Sequence, residues 1–347
     1  MRAFLARLPR RVDAFAARLS ERLEALATRR NGLLLLAAGV VVACIVFYAY
    51  PSYPNYDSYF LLLWGHDVAS GHLPHYQVFY SPTPHPLAIA LTALLSPFGD
   101  SADRVLVALS FASLLALMAA VFRMTQLLFG TLVALIAVVL LLTRTDLQLL
   151  TFRALVDIPF IALVFSAGAL ELARPRRGWP VLALLTLAGL LRPEAWPLSA
   201  AYVLWLAPAV SRRQLLAYAA LAISAPLLWA LTDWIVTGDA LYSLTSTRRA
   251  GKVLHRATGL GQAFRRLPRA LGGNEPLVNF VIGGLGALLG VWLLRRRAWL
   301  PLALGGIGVA FYFGLALAAL PLNARYLAAS SVLASVGLAV ALAGWTR

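Results

Sequence analysis

Cysteine, lysine and acidic side chains are all scarce in this chain, and each scarcity excludes something. The single cysteine, Cys44, falls inside the first long apolar run. An intrachain disulfide is therefore ruled out, and thiol catalysis is argued against. Only 13% of residues are charged, against 61% hydrophobic and a mean hydropathy of +0.79, which excludes an ordinary soluble domain. There is no glycine-rich phosphate loop, no His-Glu-x-x-His and no Gly-x-Ser-x-Gly, so the common soluble chemistries have no foothold. No internal repeat is visible, unlike the duplicated halves common in transporters. No secretory signal is visible either, because the basic N-terminus is too long and lacks a small-residue cleavage site.

What the chain has is apolar length. Continuous Leu/Ala-rich runs of 17 residues or more recur along it, which predicts an all-α polytopic membrane protein. A β-barrel would alternate instead. Clear spans cover about 32–50, 104–122, 127–143, 155–172, 179–191, 195–210, 214–232, 277–294, 298–320 and 326–344. The run His85–Gly99 is only about fifteen residues and holds Pro86 and Pro97, which suits an interfacial or re-entrant helix better than a span. Charge decides the matter. With that run left outside, Arg123, Arg174-Pro-Arg-Arg177, Arg212-Arg213, Arg295-Arg-Arg297 and Arg347 share one side with the eight arginines of residues 1–30. Counted as a span, it would turn every later cluster outward. The expectation is a bundle of about ten spans in the plasma membrane, multi-pass, with both termini cytoplasmic. Most of the +16 net charge then reports orientation, not a nucleic-acid partner. The use of 29 Arg against one Lys fits a GC-rich genome and a bacterial source.

Residues 1–30 carry apolar positions at Phe4, Leu8, Val12, Phe15, Leu19, Leu23 and Leu26, spaced by three and four. This stripe predicts a cytoplasmic amphipathic helix on the anionic leaflet, with a solvated coil as the alternative. Residues 31–347 form the transmembrane domain, with outer loops at 51–103 and 233–276 and no separate soluble domain.

The same topology sorts the acids. Of 14 Asp and Glu, 10 land at or beyond the outer face, Asp57, Asp157, Glu194 and Asp233 among them. Acids contribute little to topogenesis, so the outer face is where chemistry is expected. Asp57 follows the first span in a Tyr/Pro-rich stretch, and Asp157 opens the fourth span behind Arg153. An acid at membrane depth is a functional candidate. Arg192 and Glu194 share a tight outer turn and either pair with each other or serve a site. Arg325, ahead of the last span, either snorkels or grips a phosphate. His66, His72, His75 and His85 are spaced by six, three and ten, which matches no compact metal motif. The second outer loop carries Arg248, Arg249, Lys252, Arg256, Arg265, Arg266 and Arg269, a cluster that suggests an anionic partner outside.

Asp57, His85-Pro86-Leu87, Arg104 with Phe129-Gly130, Arg153-Ala-Leu-Val-Asp157, Leu191-Arg-Pro-Glu194 and Arg325-Tyr326 follow one another in an order and sidedness that resembles the GT-C superfamily. These are membrane glycosyltransferases that use polyprenyl-phosphate sugars, such as protein O-mannosyltransferases and lipid A aminoarabinose transferases. The chain departs from many relatives in three ways: Ser58 follows Asp57 where they have a second acid, His85 stands where they carry proline, and no C-terminal soluble domain follows. The resemblance implies a GT-C-like bundle with a juxtamembrane helical first outer loop. It also implies inverting transfer of a sugar from a polyprenyl-phosphate donor to a glycan, lipid or protein acceptor at the extracytoplasmic face. Asp57 and Asp157 become the catalytic candidates, holding a divalent cation (Mg or Mn) if one is used. Arg325, Arg248, Arg249 and Lys252 would bind the donor phosphate. His85, Tyr56, Arg153, Arg192, Glu194 and Tyr326 would line the substrate site. The competing classes are a transporter or flippase for a lipid-linked or anionic substrate, and a non-catalytic GT-C-like assembly partner.

Overall fold

The structure is a computed structural model that describes residues 17–78, 80–272, 277–294 and 299–344, and among these there is no strand. The helices, in chain order, are α1 Arg29–Ala49, α2 Tyr56–Ala69, α3 Pro86–Leu95, α4 Ala102–Phe129, α5 Thr131–Leu142, α6 Thr145–Phe152, α7 Asp157–Ala173 and α8 Trp179–Leu191. They continue with α9 Ala195–Leu206, α10 Arg212–Thr237, α11 Tyr242–Val253, α12 Leu260–Gly272, α13 Leu277–Leu294, α14 Trp299–Leu317 and α15 Ala328–Ala343.

Five segments are long and apolar enough to cross a bilayer: Arg29–Ala49, Pro86–Phe129, Arg212–Thr237, Leu300–Leu317 and Ala324–Ala343. Thr131–Leu142 with Thr145–Phe152 adds a sixth as a pair bent by 62°. Helices α7, α8 and α9 are apolar but hold 17, 13 and 12 residues, short of the ~20 a span takes. Length and composition alone therefore account for five or six of the ten expected spans. Helix α1 leaves Leu33, Leu34, Leu35, Val41, Val42 and Ile45 exposed, and α10 does the same with Leu216, Ile223, Leu227 and Ile235. Such surfaces match hydrocarbon, and the helix satisfies its own backbone there.

The largest core cluster lies where α4, α5, α7 and α15 meet, around Val121, Met124, Ile161, Phe165, Val332 and Val336. Of the N-terminal amphipathic helix, residues 17–26 are helical, while Phe4, Leu8, Val12 and Phe15 lie outside the described residues. Within this segment Glu24 accepts from the Thr131 backbone N–H at 2.5 Å, so an acid caps the N-terminus of α5.

The segment 51–103, expected as the first outer loop, is largely helical. The short run after His85 forms α3 and then a 3-10 turn, Ser96–Ser101, broken at Gly99 with φ +52°, before α4 begins. Ten residues rise only about 15 Å, so α3 does not span by itself. It packs on α2, where Gly65 faces the Thr92 backbone so closely that a Cβ would sit within 2.6 Å of the Thr92 carbonyl carbon and the Ala93 nitrogen. Thr92 Oγ1 donates back to the Leu61 carbonyl at 2.6 Å. Gly65→Ala must push the helices apart, and the expected loss is about 1–3 kcal/mol by thermal unfolding in detergent. An unchanged midpoint would show that this contact is loose.

Candidate active site

Residues 53–58 and 152–154, far apart in sequence, are stitched together through the backbone. Tyr53 N–H donates to the Phe152 carbonyl and Asn55 N–H to the Arg153 carbonyl, each at 3.0 Å. Asn55 caps α2 by accepting from Ser58 N–H at 3.0 Å, and the Ser58 hydroxyl reaches the Ala154 carbonyl at 2.8 Å. The chain turns into α7 through Ala154 at φ +51°, a left-handed conformation unusual for a residue with a Cβ. Asp57 in the first turn of α2 is thereby set beside Asp157 at the start of α7. Ser58 itself is 1% exposed and turned toward this seam, so a carboxylate there would meet backbone oxygens, not the site.

Arg325 joins the two acids. Its backbone N–H is held by Asn323 Oδ1 at 3.1 Å in the 3-10 turn Ala324–Leu327. Its Nη1 stands 3.3 Å from Asp57 Oδ2 and 3.6 Å from Asp157 Oδ2. Behind it, Arg192 donates from Nη1 to Asp157 Oδ1 and from Nη2 to Glu194 Oε1 at 2.7 Å. Arg192 and Glu194 thus do pair with each other, and the same arginine also reaches Asp157. The chain of charges Asp57, Arg325, Asp157, Arg192 and Glu194 contains three acids and two guanidiniums, one formal negative charge in excess. Asp57 and Arg325 form its open end, with side chains about one-third exposed, whereas Asp157, Arg192 and Glu194 are buried.

Two rings flank the buried end. The Tyr326 ring lies 5.1 Å from the Arg192 guanidinium. His85, at the N-cap of α3, has its ring 5.7 Å from that of Trp229. Burial, with the Arg192 charge, pushes the His85 imidazole down to about 4 from 6.5. A histidine kept neutral when folded binds fewer protons than the unfolded chain between those two values. Stability is thus intact above pH 6.5 and is expected to fall by about 1.4 kcal/mol per pH unit as pH drops toward 4. Thermal unfolding across that range, compared with His85→Gln, reads this directly, and parallel pH profiles for the two would refute it.

The other expected site residues lie farther out. The Arg153 guanidinium stacks 3.7 Å over the Tyr53 ring, so this side chain clamps the seam and is not in the ion-pair chain. Tyr56 is exposed and donates to the Tyr80 carbonyl at 3.2 Å. Arg248, Arg249 and Lys252 are exposed on α11 and make no ion pair with the acids among the described residues. Their helix nevertheless borders the site. Gly251 lies flat against Pro321, Leu322 N–H donates to the Ala257 carbonyl at 2.9 Å, and the Thr247 and Thr83 hydroxyls meet at 2.8 Å. His66 pairs with Ser96 at 3.0 Å, and no group of three or more His, Cys, Asp or Glu among the described residues is placed to hold a metal. The fit for a divalent ion between Asp57 and Asp157 is poor, because a guanidinium already lies between them.

A further group lies outside the expected site residues. Asp233, buried at the end of α10, accepts from Ser243 N–H at 2.8 Å and Ser243 Oγ at 2.9 Å, while Trp229 Nε1 donates to the same hydroxyl at 2.9 Å. Tyr76 belongs to this wall as well. Its ring packs 4.9 Å from that of Trp64, its carbonyl accepts from Tyr242 at 2.7 Å, and burial near Asp233 holds its phenol far above its ordinary range. An acid at the end of an apolar run was the signal; its aromatic neighbours carried none.

No protein-family model and no curated protein matches this chain. Among solved structures, the Archaeoglobus fulgidus oligosaccharyltransferase in its apo form is similar at a TM-score of 0.53 and 16% identity, over 92% of this chain and 51% of that one. This chain therefore spans about half the length of that protein. At that identity the similarity is one of fold, shared over nearly the whole of this chain.

Proposed function

We propose that this chain is a membrane glycosyltransferase that moves a sugar from a polyprenyl-phosphate donor to an acceptor hydroxyl, with inversion, at the outer membrane face. The observation that carries the reading is the single Arg325 Nη1 standing 3.3 Å from Asp57 and 3.6 Å from Asp157. It supplies one acid and one guanidinium, each about one-third exposed, backed by a buried ionic scaffold. The oligosaccharyltransferase fold supports the same class of chemistry.

In this mechanism the acceptor oxygen attacks the anomeric carbon, the bond from that carbon to the phosphate oxygen breaks, and polyprenyl phosphate departs. Negative charge grows on the phosphate, and Arg325 is the group positioned to take it. As the phosphate engages Arg325, Asp57 gives up its partner and receives the acceptor proton. Asp157 and Arg192 hold Arg325 in place from behind. Ten spans with cytoplasmic termini would put this end of the bundle outside and leave a groove between helices for the polyprenyl tail.

The test is turnover by the purified chain in proteoliposomes, read as polyprenyl phosphate released from a labelled donor in the presence of acceptor. Donor translocation without release of the phosphate would establish a flippase instead. Neither release nor translocation with any lipid-linked sugar would leave an assembly partner.

A further inference from the structure

Residues 240–272 hold seven cations, Arg248, Arg249, Lys252, Arg256, Arg265, Arg266 and Arg269, and no Asp or Glu, a net of +7 over 33 residues. All seven side chains are exposed. Helix α12 divides sharply around its axis. Ala263, Leu267, Ala270 and Leu271 pack against Tyr312, Ala316, Leu322 and Leu327, while Arg265, Arg266 and Arg269 point away. Its docking partner α14 contains one of the candidate spans, Leu300–Leu317. Phe264, 64% exposed, and Leu260, 41% exposed, lie beside the arginines, and the Phe264 ring touches that of Phe313 at 4.8 Å. Guanidiniums cannot face hydrocarbon, and exposed Phe and Leu are poorly placed in water, so this helix suits the headgroup boundary.

We propose that α12 with the neighbouring turn at Arg256 docks on anionic phospholipid headgroups of the leaflet that borders the active site. The charge is complementary, and the geometry ties the surface to the chemistry. The Ala257 carbonyl accepts from Leu322 N–H at 2.9 Å, three residues before Arg325, and Leu327 packs beneath α12. Headgroup binding would therefore steady the turn that presents Arg325. This surface lies beyond the site proposed for sugar transfer and does not require that reaction.

The experiment is lipid retention by the full chain extracted from nanodiscs of phosphatidylcholine mixed with phosphatidylglycerol, read by native mass spectrometry with no donor or acceptor present. The expected result is selective retention of phosphatidylglycerol, weakened by salt, and falling about fivefold for each arginine removed in Arg265→Gln, Arg266→Gln and Arg269→Gln. Arg212→Gln with Arg213→Gln, exposed at the start of α10 and separated from α11 and α12 by the length of that helix, should leave the preference unchanged. Should the triple variant fail to fold, Arg265→Gln and Arg269→Gln alone carry the test. Equal retention of the two lipids by the parent, or an unaltered preference in the α12 variants, overturns the proposal. So does loss in these variants of binding to an acidic oligosaccharide in lipid-free detergent while lipid preference persists.

Discussion

Asp57→Asn is expected to slow sugar transfer by about 10²–10⁴ while leaving the protein folded. The amide can still accept from Arg325, now at 3.3 Å from the carboxylate, but it cannot take up the acceptor proton. Because Asp57 is about one-third exposed and bonded only at the open end of the ionic chain, its neutralisation leaves the buried scaffold intact. The measurement is single-turnover release of polyprenyl phosphate beside a thermal unfolding curve. Asp157→Asn should also slow transfer, but by misplacing Arg325, and should lower stability as well, since its carboxylate bonds Arg192 in the core. Parental rates in both variants would remove the assignment.

The largest effect on stability is expected at Arg192. Its guanidinium is the shared partner of Asp157 and Glu194, and all three are buried. Removing the cation in Arg192→Met leaves two carboxylates without it, which should cost about 3–5 kcal/mol. The diagnostic comparison is Arg192→Met combined with Asp157→Asn and Glu194→Gln. With the acids neutralised the penalty has no source, so most of the lost stability should return, a coupling that unfolding midpoints of single and combined variants can resolve. If the combined variant is less stable than Arg192→Met alone, the cluster holds the fold by shape and hydrogen bonding, not by charge pairing.

Several elements are legible in the sequence. The apolar run 277–294 predicts a membrane helix and forms α13, Leu277–Leu294, because such a run admits few other structures. The run His85–Gly99, about fifteen residues with Pro86 and Pro97, is too short for an independent span, and its helix Pro86–Leu95 has ten residues. The sequence predicts 104–122 for α4, but the helix continues to Phe129, since only Gly130, at φ +87°, stops it. Other features were invisible. Arg153 belongs to the Asp157 motif by sequence, yet it stacks on Tyr53, a partner one hundred residues away. Nothing in composition distinguishes an arginine that caps from one that binds: Arg104 closes α1 by donating to the Phe47 carbonyl at 3.1 Å.

By itself the chain's composition determined an all-helical membrane class, because long apolar segments with few charges have no other way to satisfy their backbone away from water. It also placed acids and histidines between the apolar runs and at their ends. Only the tertiary structure decided which of them meet. Hydrogen bonds from residues 53–58 to residues 152–154, formed across a wide gap in sequence, bring Asp57 toward Asp157, and the turn before α15 slides Arg325 between them. Ion pairing depends on separations of a few ångströms, and such distances are a property of packing, not of spacing along a chain.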